Sequence, residues 1–150
     1  MMNYVIVLLG VLLLGQCHQD ALPEDQAQEP GFGTAFLLQK GEEVKVSGEA
    51  AGTLTLQLAS LADSRCPKDV VCVWLGNATV VLNVSDADGQ SQQVSFCIGD
   101  CRPDPVRNKH KVQVMLGKQA YDITLLEVLP VPNAESNETA KEVKVLVELV

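Results

Sequence analysis

The sequence predicts an all-β fold: a single antiparallel β-sandwich, immunoglobulin-like, of about nine strands. Three observations carry this. From Gly31 onward apolar residues recur with a period of two, no segment repeats at the 3.6-residue spacing of a helix, and the alternating segments are short and separated by turn-forming residues. Residues 31–150 are also the right length for one such domain.

The first two strands are expected at 34–39 and 43–47. At 53–60, Leu54, Leu56 and Leu58 face one way while Thr53, Thr55 and Gln57 face the other. The β-branched and aromatic run Val70-Val71-Cys72-Val73-Trp74 predicts a strand at 70–74. At 77–85, Ala78, Val80, Leu82 and Val84 oppose Asn77, Thr79, Asn83 and Ser85, and a further strand is expected at 92–97. At 111–116, Val112, Val114 and Leu116 oppose Lys111 and Gln113. Tyr121, Ile123 and Leu125 oppose Asp122 and Thr124 within 119–129, and Val143, Val145 and Val147 oppose Lys144 and Glu148 within 142–150. Hairpin signals stand at 85–90 (SDADGQ) and 116–119 (LGKQ), with a longer polar loop at 130–141. A closed lipocalin-type barrel is the alternative architecture, but it needs longer strands to enclose a cavity.

Ahead of this domain, residues 1–16 carry no charge and an apolar run from Tyr4 to Leu14, too short to span a bilayer and suited to a signal-peptide core. The run ends in Leu14-Gly15-Gln16-Cys17, which resembles the lipobox of bacterial lipoproteins. That resemblance implies cleavage before Cys17 and a lipid on its sulfur. Ordinary secretory cleavage after Cys17 is the alternative, and both routes export the chain. Residues 17–30 then read as a lipidated cysteine and a flexible tether, with Asp20, Glu24, Asp25 and Glu29 against no Lys or Arg. The sorting rule of Gram-negative lipoproteins, carried over by the same resemblance, would send a chain with His18 after the lipidated residue to the outer membrane. The expected localisation is therefore the bacterial cell envelope, with secretion as the alternative. Fifteen acids and eleven bases remain in 31–150, a mildly acidic balance that argues against a nucleic-acid partner.

Five cysteines are an odd count for an exported chain, and either fate of Cys17 leaves four: Cys66, Cys72, Cys97 and Cys101. In an oxidising compartment these predict structural disulfides. Pro67 and Asp69 favour a turn between Cys66 and Cys72, and closing that loop is worth roughly 2 kcal/mol in the chain-entropy model. A crossed pairing such as Cys72 with Cys97 would give roughly 3.5 kcal/mol, so energy does not decide the connectivity. In a strand, Cys72 and Trp74 would share a face, letting the indole pack on the sulfur bridge. The spacing of Cys97 and Cys101, with His110 nine residues on, also fits a metal or thiol-redox site.

Asp63-Ser64-Arg65-Cys66-Pro67, a short spacer and Cys72-x-Trp74-x-Gly76 resemble a motif of exported bacterial proteins, many of them lipoproteins, for which no activity is established. The segment 121–132 is similar to such proteins as well. The resemblance implies export and layout, and it brings no catalytic residue.

Catalytic machinery is not expected: His110 is the one histidine of the folded part, no Gly-x-Ser-x-Gly elbow is present, and few aromatics exist to floor a sugar cleft. No cofactor is expected either. Residues 102–111 gather Arg102, Arg107, Lys109 and Lys111, a basic stretch in an acidic protein, stiffened by Pro103 and Pro105. These four form the expected partner-binding residues, facing an acidic protein or an anionic envelope polymer. The functional expectation is a non-enzymatic, lipid-anchored envelope protein whose sandwich is an interaction or structural module, attached to the membrane through its anchor. A metal-binding or thiol-redox protein using Cys97 and Cys101, and an immunoglobulin-like protease inhibitor, are the alternatives.

Overall fold

A computed structural model of the chain describes residues 29–49, 52–134 and 140–150; the expected signal peptide, Cys17 and most of the tether lie outside the described residues. The described residues form eight strands and no helix: β1 (Ala35–Gln39), β2 (Glu43–Gly48), β3 (Gly52–Asp63), β4 (Asn77–Asp86), β5 (Ser91–Gly99), β6 (His110–Leu116), β7 (Gln119–Leu129) and β8 (Glu142–Leu149). They make two four-stranded antiparallel sheets, ordered β2-β3-β4-β5 and β1-β8-β7-β6. The period-two pattern is what buries: Leu54, Leu56, Leu58, Val80, Leu82 and Val84 from one sheet meet Val114, Ile123, Leu125, Val143, Val145 and Val147 from the other in one core. Burying each such side chain fully contributes about 1.5–3 kcal/mol relative to leaving it in water.

Two expectations need correction. The segment 70–74 is not a strand, so the described residues hold eight strands rather than the expected nine. Pairing of β3 with β4 ends at Asp63 and Ala78, and the intervening chain turns back on itself: Val70 N donates to Pro67 O at 3.4 Å and Cys66 N donates to Leu75 O at 2.9 Å. Its valines therefore have no sheet neighbour, and Trp74 stands 64 % exposed instead of being buried beside the sulfurs. The second correction concerns connectivity. An immunoglobulin arrangement has Greek-key crossings between sheets. Here each sheet is a meander of consecutive strands, and β1 beside β8 is the one non-consecutive neighbour.

Because consecutive strands run antiparallel, the connections alternate between the two ends of the sandwich. One end holds the short hairpins at 87–90 and 117–118. The other holds the long loops 64–76 and 100–109 and the described residues 130–134 after β7, tied together where Asp100 N donates to Gly76 O (2.8 Å) and Lys68 N to Pro132 O (3.0 Å). The chain enters at the hairpin end. Ser47 N donates to Pro30 O (3.2 Å), Gly33 N donates to Val147 O (2.7 Å), and the Phe32 ring stacks on Tyr121 at 5.9 Å.

Candidate functional site at the long-loop end

Both disulfides sit at the long-loop end, and both are local: Cys66–Cys72 and Cys97–Cys101, each with Cα atoms 6.0 Å apart. Around the first, Asp63, Ser64, Arg65 and Gly76 of the motif each have a structural task. The Asp63 carboxylate is fully buried and receives Arg65 through two hydrogen bonds of 2.8 Å and Lys141 through one of 2.7 Å. Burial favours its neutral form, but the hydrogen bonds from Arg65 and Lys141 outweigh that and hold its pKa at about 2. Arg65 also donates to Val128 O at 2.8 Å, fastening the root of loop 64–76 to β7. Ser64 N and Oγ both donate to Asn77 O (2.8 and 3.0 Å). Gly76 has φ +66°, and a Cβ there would lie 1.9 Å from Ser64 O, so no other residue fits. Asp69 accepts the Ala134 N–H with both carboxylate oxygens, at 2.9 and 3.1 Å, which braces the stapled loop against the one after β7.

This bracing leaves the tip of the loop in solvent. Val71 is 103 % exposed and Val73 92 %, with Trp74, Leu75 and Val70 also exposed. Val106 and Val131, from the other two long loops, join them. Below the tip lies a cleft of about 870 Å³ lined by Leu75, Ile98, Val106, Leu126, Val128 and Leu129, with Arg65 and Arg107 at its side. A register shift between Leu125 and Glu127 in β7 is what brings Leu126 to it.

The four expected cations are only partly gathered. Arg102 pairs with Asp100 at 2.9 Å, Arg107 pairs with Asp104, and Lys111 leaves the loop altogether, reaching Asp122 (2.9 Å) and Glu148 (3.4 Å) from the outer face of its sheet. Lys109 forms no ion pair among the described residues, and neither does Lys68 in the stapled loop. Three of the four charges are thus matched by carboxylates that the local basic run does not reveal.

At the Cys97–Cys101 pair, both sulfurs are in the disulfide, and His110 Nδ1 accepts the Cys97 N–H at 3.0 Å. That places the ring proton on Nε2. The edge-on Phe96 ring lies 5.8 Å away. Burial, followed by the nearby Arg107 charge, pushes the His110 pKa down and keeps the ring neutral. It serves as a clasp between β5 and β6, the edges of the two sheets. Among the described residues, no group of three or more His, Cys, Asp or Glu is placed to hold a metal ion.

Sequence reasoning missed the exposed tip, although its signal was present: an apolar run closed by two cysteines and bounded by Pro67, Asp69 and Gly76. Compared with protein families, curated proteins and solved structures, the chain matches none.

Proposed function

We propose that the chain is a non-enzymatic, lipid-anchored protein of the bacterial cell envelope, held at the outer membrane through Cys17, whose sandwich is a docking module. One observation carries this reading: a disulfide-stapled loop presents Val71, Val73, Trp74 and Leu75 to solvent at the end opposite to the entry of the chain. Large apolar side chains clustered in solvent mark a contact surface, and tryptophan is enriched among the residues that dominate binding energy. The staple and the Asp69 brace lower the ordering cost of binding, which is what preorganised loops contribute. Lys109, in the adjacent loop, adds a cation without an ion pair among the described residues, whereas Arg102 and Arg107 are matched by Asp100 and Asp104 and Lys111 stands apart.

Two measurements test the reading together. Mass spectrometry of the mature chain from the membrane fraction should find an acylated Cys17 at its N-terminus; a chain beginning at unmodified His18 contradicts the anchor. Capture from envelope extract should fall when Val71, Val73 and Trp74 are replaced by Ser, and unchanged capture contradicts the docking surface.

A further inference from the structure

Resting on that reading, we infer that the long-loop end docks on an anionic lipid surface, the one that carries the anchor, by inserting Val71, Val73 and Trp74 between headgroups. The first support is shape. Val71 and Val73, 103 and 92 % exposed, project from the surface beside Trp74 at 64 %, so a rigid protein partner would need a matching pit, while a headgroup layer deforms around them. Trp74 is the chain's one tryptophan, and an indole beside aliphatic residues favours the membrane–water interface.

Charge supplies the second support. Lys68 in the stapled loop and Lys109 in the adjacent loop have no carboxylate partner among the described residues, and Arg102 keeps 80 % of its side chain exposed despite Asp100. The acid within the stapled loop, Asp69, is exposed but has both carboxylate oxygens on the Ala134 N–H. The tip therefore offers apolar side chains and cations in a protein of net charge −8, which is complementary to anionic lipid.

Length is the third. β7 runs from Gln119 to Leu129, so the two ends of the sandwich are about 35 Å apart. Residues 18–30, whatever their conformation, can span at most roughly 45 Å. The tip can thus reach the bilayer that holds Cys17, most directly with the domain lying along it, and the anchor makes this second contact intramolecular.

The test uses the full acylated chain in phosphatidylcholine vesicles with and without one-third phosphatidylglycerol, reading the emission of Trp74. Insertion predicts a blue shift, and quenching by lipids brominated near the headgroup, that depend on phosphatidylglycerol and weaken with salt. Val71→Ser with Val73→Ser should reduce the quenched fraction roughly tenfold. Lys68→Ser and Lys109→Ser should reduce it roughly fivefold each. Acylated chain that floats with vesicles while Trp74 stays unquenched overturns insertion and leaves the docking module intact, pointing to a protein or polymer partner. Quenching of a chain that proves not to be acylated supports insertion and removes the anchor.

Discussion

At the scale of single residues, the motif around Cys66 separates into groups that hold the loop and groups that it holds out. Gly76 belongs to the first kind because its positive φ and the 1.9 Å approach to Ser64 O leave a side chain nowhere to go. Gly76→Ala is expected to destabilise the domain by roughly 2–4 kcal/mol in chemical denaturation, combining backbone strain with a displaced loop root. Asp63 is held ionised at about 2 against an ordinary 3.8, chiefly by Arg65 and Lys141 acting against its burial. A carboxyl whose pKa is lower in the folded state stabilises the protein in full above its unfolded value, and the contribution is lost as pH falls. For Asp63 that window runs from about pH 4 down to about pH 2 and is worth about 2 kcal/mol. Asp63→Asn, which leaves two cations facing a neutral amide, should cost about 3 kcal/mol at pH 7 and flatten this acid limb. Equal acid sensitivity in wild type and variant would show that the carboxylate is not the group responsible. The sequence displays Asp63 and Arg65 two residues apart, but not Lys141, which only the fold brings to the same carboxylate.

At the scale of elements, seven of the eight strands were expected within two residues at each end, and the eighth, β3, runs on from the expected 60 to Asp63. All were legible because one face of each is buried and the other is not, so the alternation is enforced along the whole strand. Residues 70–74 show where that logic stops. Valine and tryptophan have high strand propensity, yet propensity acts through neighbours to pack against, and the staple at Cys66–Cys72 with the turn at Pro67 holds this run clear of both sheets. The basic run at 102–111 was legible as charge and not as a patch, since Asp122 and Glu148 reach Lys111 only across β7 and β8. Replacing Cys66 and Cys72 together by Ser should lower stability by about 2 kcal/mol, from the chain-entropy model, while the circular dichroism of the sheets persists. Amide exchange should then rise within 66–76 and not in β3 or β4. Loss of protection throughout β3 and β4 would instead make the staple a requirement of the whole sheet.

At the scale of the whole molecule, the fold is polar in its design: among the described residues, the hairpins 87–90 and 117–118 and the chain entry lie at one end, and the loops 64–76 and 100–109 with both disulfides at the other. The core needs none of the apolar residues at the loop tip. Their exposure is the feature that the docking account explains and that a purely structural role does not. Met115 offers an internal comparison, being an exposed apolar residue of β6 near the hairpin end. A photo-crosslinking side chain placed at Val71, and separately at Met115, in cells that produce the full chain shows whether the loop tip is the contact surface. Docking through the loop tip should give strong, discrete adducts from position 71 and few from 115. Equal yields from the two positions, or none from 71 in a folded and membrane-localised protein, would contradict it.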